Sequence, residues 1–318
     1  MTRHEHPQDF HHAALLYADD SSYAEALTPF IRAGLEADEP VLVMVPGRKV
    51  ELLRDALGSD ADEVRFADMT EVGANPARII PVWGEFAADH AASGRRMRGI
   101  GEPIWSDRTP AELVECQRHE ALINVAFEGA TAMDLVCPYD ENALEPAVIE
   151  EAYRTHPVLL DERGSFLDCS TYVGTHTIAK PFAQPLPDPP PDAHLLRFDA
   201  GTLEGVRVFV TANATAAGLD LQRCEDLVLA VHELATNSIR HGGGGGVLTM
   251  WTDDDAVLAE VRDSGHIDQP LAGREPPRSD QIGGHGLWLV NQLCDLIQMR
   301  TFPTGSVVRV HMRRGRAD

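Results

Sequence analysis

Basic residues are scarce in this chain. It carries 27 Lys and Arg against 50 Asp and Glu over 318 residues, a formal net charge of −23. Nucleic-acid binding draws on Lys and Arg to displace counterions from phosphate, so this balance argues against a nucleic-acid partner. It disfavours an anionic membrane surface for the same reason. Long apolar runs are also missing: no segment approaches the ~20 residues that cross a bilayer as a helix. The first residues, Met1-Thr-Arg-His-Glu-His-Pro-Gln8, hold no apolar core of a signal peptide. The expectation is a cytoplasmic protein. Cysteine is sparse: Cys116, Cys137, Cys169, Cys224 and Cys294 are odd in number, scattered, and form no CxxC pair. Reduced, mostly buried thiols are expected rather than a disulfide framework.

Proline, in contrast, is concentrated. Pro181, Pro185, Pro187, Pro189, Pro190 and Pro191 follow one another closely. Such a stretch favours extended polyproline geometry and forms neither helix nor central strand. It predicts a linker at 178–193 that separates a domain at 1–177 from one at 194–318. The length suffices for two full cores.

Upstream of the linker, apolar runs alternate with helical patterns. Strands are expected at Ala13–Tyr17, Val41–Val45, Val64–Phe66, Met97–Ile100 and Ala132–Cys137. Helices are expected after Ser22, where Glu25 completes a capping box, at Val50–Leu57, from Pro76 to about Ala92, at Pro110–Phe127 and from Pro146. The alternation predicts an α/β fold with a largely parallel sheet. His4, His6, His11 and His12 have no cysteine or carboxylate at zinc spacing, so they are not read as a metal tract. His11 and His12 abut a strand and are candidates to face a ligand pocket. Gly99, Gly101, Glu102, Trp105, Glu115, His119 and Glu120 are candidates to line the same pocket at the sheet's C-terminal edge.

Three segments downstream carry chemistry. The run Val231-His-Glu-Leu-Ala-Thr-Asn-Ser-Ile-Arg-His241 sets Glu233 and Asn237 four apart, on one face of a helix. A carboxylate there can take a proton from a hydroxyl, and an amide oxygen can ligate a hard cation. The run fails as a zinc-protease motif because position 236 is Thr. Val261-Arg-Asp-Ser-Gly265 places Asp263 at a strand end, where it can accept from an adenine amino group, with Gly265 allowing close backbone approach. Ile282-Gly-Gly-His-Gly-Leu-Trp-Leu-Val290 runs a glycine-rich turn into a helix over about 287–296, a natural phosphate cradle. Gly242–Gly246 is not a P-loop, since Val247-Leu248 stand where Lys-Ser or Lys-Thr is required. The second domain is expected to begin with a strand at Val206–Val210 and a helix near 213–218. The helix of Glu233 and Asn237, about 222–240, follows, and further strands lie near 247–251, 256–262, 297–302 and 306–312. A mixed sheet with helices on one face is expected.

In this order the three segments resemble the N, G1 and G2 boxes of the GHKL ATPase superfamily, over about residues 195–313. The nearest resemblance is to the anti-sigma factor serine kinases. The resemblance implies an α+β GHKL (Bergerat) sandwich that binds ATP and Mg²⁺. Glu233 matches the general base and Asn237 the Mg²⁺ ligand. Asp263 and Gly265 match the adenine site, and Gly283, Gly284 and Gly286 the phosphate turn. Gly305-Ser306 resembles the small pair that supports the aspartate, so Ser306 joins the cofactor-binding set. Position 267 is Ile where the family's Asp-x-Gly-x-Gly has its last glycine. Arg274 and Arg278 in the short lid are candidates for phosphate or for solvent; Arg240 and His241 at the helix end are candidates to neutralise its C-terminal dipole or to touch phosphate. The N-terminal half resembles the MEDS sensory domain over about residues 9–158. The residues that carry this are His11-His-Ala-Ala-Leu-Leu-Tyr17, Gly99-Ile-Gly-Glu-Pro-Ile-Trp105, Glu115-Cys-Gln-Arg-His-Glu120 and Cys137-Pro-Tyr-Asp140. It implies a small-molecule sensor, with hydrocarbon derivatives proposed for that family. The expected whole is a regulator whose sensory domain controls a protein serine/threonine kinase. Its partners would be an anti-sigma factor antagonist or a sigma factor, and it would be open to homodimer formation. The alternatives are a histidine-kinase-like sensor and an ATP-gated binding module without turnover.

Overall fold

The computed structural model describes residues 10–127, 129, 132–161, 164–174, 184–277 and 285–315. The chain divides into two compact units, Met1–Lys180 and Pro181–Asp318.

The first unit runs β1 (Phe10–Tyr17), α1 (Asp20–Glu36), β2 (Val41–Val45), α2 (Gly47–Leu57), β3 (Arg65–Asp68), α3 (Met69–Val72), α4 (Ile79–His90), β4 (Met97–Gly101) and α5 (Pro110–Phe127). It continues with β5 (Met133–Asp140), α6 (Pro146–Thr155), β6 (Val158–Leu160) and β7 (Phe166–Asp168). The sheet order is β3-β2-β4-β5-β1-β6-β7, parallel except for β7. All five residues of β2 are buried, as both faces of a covered parallel sheet require. Ala13, Leu15, Val43, Val45 and Ile100 pack with Tyr23, Leu27 and Ile31 of α1 on one face. The cap of α1 differs from the expectation. Asp19, not Ser22, is the N-cap: its carboxylate accepts from the Ser22 amide, and Ser22 returns the bond as the third helical residue. Glu25 instead accepts from Ser21.

The second unit runs β8 (His194–Asp199), α7 (Leu203–Ala216), α8 (Leu221–His241), β9 (Gly245–Thr252), β10 (Ala256–Asp263), α9 (His285–Leu293), β11 (Leu296–Phe302) and β12 (Gly305–Arg313). The sheet order is β11-β12-β10-β9-β8, and every pairing is antiparallel, where a mixed sheet was expected. Val206–Val210 is not a strand but lies inside α7. Val206, Val210 and Ala214 are all buried and recur every four residues, a helical stripe that outweighs the β propensity of valine. Helix α8 is capped by Asp220, whose side chain accepts from the Arg223 amide. Leu227, Val231, Leu234 and Ala235 form its buried stripe. Burying each of the larger side chains stabilises the unit by roughly 1.5–3 kcal/mol.

The opposite face of this sheet is polar and covered. Thr249, Glu260, Arg309 and Gln298 stand in one cross-strand row and are all buried. Arg309 gives Glu260 two hydrogen bonds, at 2.9 and 2.6 Å, and lies over the Trp251 ring. Residues 184–187 of the proline-rich segment lie across this face. An extended proline run leaves its carbonyls without backbone partners, so they accept from guanidinium groups instead. Pro187 O accepts from Arg309 and Gln184 O from Arg300. Residues 178–183 of the expected linker lie outside the described residues.

Candidate functional site

Helix α8 places Glu233 and Asn237 one turn apart, both half-buried. Their shared neighbour is the first turn of α9. A methyl group on Gly286 would stand 3.0 Å from Glu233 Oε2 and 3.1 Å from Asn237 Nδ2. Glycine lets the α9 turn approach the pair closely, where a Cβ would make one of these side chains give by a few tenths of an ångström. Gly283 and Gly284, expected beside it, lie outside the described residues, as does Arg278.

Asp263 ends β10 directly opposite Ser306 of β12. Its Oδ1 accepts from Ser306 Oγ at 2.8 Å and from the Gly265 amide at 2.9 Å. Its Oδ2 accepts from Ser238 Oγ of α8 at 2.6 Å. A carboxylate offers about four acceptor sites, so three donors leave one for another group. Gly242 packs against the same carboxylate: a Cβ there would lie 2.5 Å from Asp263 Cγ. Ser238 was not singled out from the sequence. Its signal was a hydroxyl within the apolar stripe of α8, one turn after Leu234, where a buried polar group must find a partner.

These groups wall one cleft of about 440 Å³. Asn237, Ser238, Asp263, Gly265, Gly286 and Ser306 line it, together with Leu234, Val261, Ile267, Leu287 and Val308. Apolar side chains thus surround a few convergent polar groups, the general form of a small-molecule site. Glu233 is not in the wall but reaches its edge beside Gly286. His241 is exposed and also lines the cleft. Ile267, at the position where a glycine was expected, donates its amide to Thr301 Oγ1 at 3.3 Å. Arg274 is not a solvated lid residue: it is 1% exposed. The turn that carries it is pinned to α9 by Asn291, which donates to Gly273 O at 2.7 Å.

The pocket residues expected in the first unit do not share one location. Gly99 and Gly101 pack against the Trp83 ring, where a Cβ would come within 2.8 and 3.0 Å of it. Glu102 accepts from Tyr17, Tyr23 and Lys49 in a buried group of its own. Burial pushes its carboxyl above the usual range, against the opposing pull of Lys49. Trp105 stacks on Arg108. His11 and His12 leave β1 on opposite faces: His11 meets Asp134, and His12 meets Glu120. His4 and His6 lie outside the described residues.

Residues 11–157 match the MEDS family, the methanogen/methylotroph DcmR sensory domain. Residues 196–312, which hold the cleft, match the histidine kinase-like ATPase domain. The chain joins a MEDS domain to a histidine kinase-like ATPase domain. Among solved structures, the RsbU and RsbW domains of Rv1364c from Mycobacterium tuberculosis share 20% identity at a TM-score of 0.30. That match covers 39% of this chain and 33% of the other, so the chain spans about a third of that protein. The Acinetobacter baumannii histidine kinase AdeS shares 15% identity at a TM-score of 0.24, covering 38% of this chain and 68% of its own. A search of curated proteins finds no significant match. No described helix is long and apolar enough to cross a membrane.

Proposed function

We propose that the ATPase domain binds ATP with Mg²⁺ and phosphorylates a serine or threonine of a partner protein, an anti-sigma factor antagonist, under control of the MEDS domain. The observation that carries the nucleotide reading is Asp263. Three donors orient its carboxylate and leave one acceptor site for an amino group entering the cleft. An adenine presents such a group, and Leu234, Val261 and Val308 supply apolar wall beside it.

In this reading Asp263 holds the base and Asn237 Oδ1 contributes to the magnesium site. The α9 turn at Gly286 faces the phosphates with its free amides. ATP supplies the transferable phosphoryl group, and Mg²⁺ neutralises its charge. Glu233, at the edge of the cleft, accepts the proton of the partner's hydroxyl and later returns it to water. Phosphoryl transfer rests mostly on positioning and electrostatics, and base assistance contributes on the order of 10²–10⁴. The serine/threonine acceptor rests on the resemblance of the three boxes to anti-sigma kinases.

The experiment is incubation of the full chain with labelled ATP-Mg and a candidate antagonist protein. Acid-stable label on the antagonist supports the kinase. Acid-labile label on the chain itself would replace it with a histidine kinase. ATP binding without transfer to any acceptor would replace it with a nucleotide-gated binding module. Glu233→Ala is expected to abolish transfer with ATP affinity nearly unchanged.

A further inference from the structure

The MEDS domain holds a cluster that the nucleotide site does not use. His12 of β1, Glu120 of α5, Cys137 of β5 and His156, between α6 and β6, bring one ligand atom each within 4.8 Å of one another. All four are at most 2% exposed. His12 Nε2 lies 3.0 Å from Glu120 Oε2 and 3.3 Å from Cys137 Sγ. His156 Nε2 lies 3.2 Å from the same Glu120 oxygen without forming a hydrogen bond. Glu120 Oε1 is likewise buried with no hydrogen-bond partner.

The surroundings limit where the imidazole protons can be satisfied. His156 Nδ1 is 2.8 Å from Ala152 O, a carbonyl that can only accept. His12 Nδ1 is 3.2 Å from Asn124 Oδ1. The Asn124 amide cannot be turned round, because its Nδ2 already donates to Glu120 O and Thr155 O. Each ring therefore faces acceptors at both nitrogens, and a neutral ring with its proton on Nδ1 aims the Nε2 lone pair at the Glu120 carboxylate, a contact that a cation between them would relieve. This is the arrangement of metal-bound histidines, whose other nitrogen donates to a carbonyl or equivalent acceptor. Two lone pairs and a carboxylate thus converge in a dry space with one thiol proton among them. Such a group needs positive charge at its centre.

We propose that His12, Glu120, Cys137 and His156 bind a divalent transition-metal ion, zinc by the chemistry of the donors. Two imidazoles, a thiolate and a carboxylate form a four-ligand set of the zinc type, and the thiolate disfavours magnesium and calcium. Zinc–ligand bonds of about 2.0–2.3 Å give tetrahedral edges of roughly 3.3–3.8 Å, near the three spacings of 3.0, 3.2 and 3.3 Å and inside the 4.8 Å that bounds all four atoms. One thiolate and one carboxylate cancel the charge of the ion, which removes the cost of burying it alone. The ion ties the central strands β1 and β5 to α5 and to the end of α6. Because the site is closed to solvent, the metal enters as the domain folds and leaves slowly.

The test is metal analysis of the full chain, expressed in zinc-supplemented medium and dialysed against a weak chelator. About one zinc per chain is expected. Cobalt supplied in place of zinc is expected to give visible bands of tetrahedral type and a near-ultraviolet thiolate-to-cobalt band. Cys137→Ser is expected to remove the near-ultraviolet band. His156→Gln is expected to lower metal retention at least tenfold. Folded wild-type protein that retains neither metal, and whose thermal midpoint is the same with and without added zinc, overturns the proposal. The cluster would then be held by a protonated imidazole. The wild-type measurement decides the matter even if the variants fail to fold.

Discussion

Ser306 donates to Asp263 at 2.8 Å from the position directly opposite it in the β10–β12 ladder. The bond fixes one carboxylate oxygen from the sheet side while Ser238 of α8 fixes the other at 2.6 Å. The carboxylate is thereby oriented by two separate elements. In the proposed site its free acceptor position faces the base.

Removing the acceptor is therefore expected to cost more than removing a donor. Asp263→Asn turns one carboxylate oxygen into an NH2 group, which cannot accept either from Ser238 on one side or from Ser306 and the Gly265 amide on the other, and it removes the negative charge. ATP affinity is expected to fall at least a hundredfold. Ser306→Ala loses one hydrogen bond to a charged group, about 1.5–3 kcal/mol, or roughly ten- to a hundredfold in affinity if orientation is fully coupled to binding. Calorimetric titration with ATP-Mg checks both. An Asp263→Asn variant that binds as the parent does would sink the adenine assignment.

Gly286 tests the contact between α9 and the Glu233–Asn237 pair. An alanine methyl would lie 3.0 Å from Glu233 Oε2 and 3.1 Å from Asn237 Nδ2, so the turn or the pair must shift. Gly286→Ala is expected to reduce phosphoryl transfer more than tenfold. The thermal midpoint should change little, since alanine favours the helix. Matching activity and stability measurements separate this outcome from simple unfolding.

Glu260 and Arg309 make a buried pair whose breaking differs from its replacement. Arg309→Ala leaves the fully buried Glu260 with Arg262 as its remaining cationic partner and is expected to destabilise the ATPase domain by about 1.5–3 kcal/mol. Replacing both residues with apolar side chains, Arg309→Met with Glu260→Leu, is expected to recover most of the loss. Denaturant unfolding of the three proteins, followed by a probe in the second unit, checks the order.

Asp134 gives the MEDS domain a pH dependence of known sign. Burial raises its carboxyl, but hydrogen bonds from His11 and Arg96 outweigh this and hold it below the ordinary value of 3.8. A depressed carboxyl stabilises the fold above its unfolded pKa, and that contribution is lost as pH falls through the folded value. The stability advantage of the wild type over Asp134→Asn is expected to be full at pH 6 and to shrink below about pH 4. Thermal midpoints of both proteins across this range provide the check.

The sequence by itself determined whatever depends on neighbours along the chain. The four-residue interval of Glu233 and Asn237 became one helix face, the continuous apolar run Val41–Val45 became a buried strand, and Pro110–Phe127 became α5. Local hydrogen bonding and period 3.6 or 2 carry that information. Where local preference and packing disagreed, as at Val206–Val210, packing on the sheet won and the segment became helix. Tertiary structure alone decided which distant residues share a site. Ser238 and Ser306 reach Asp263 from 25 and 43 positions away. His12 meets Glu120 across 108 residues, so a histidine with no ligand at zinc spacing in the sequence acquires one in space. Such meetings follow from strand order and helix packing over a shared sheet, and no periodicity in the chain encodes them.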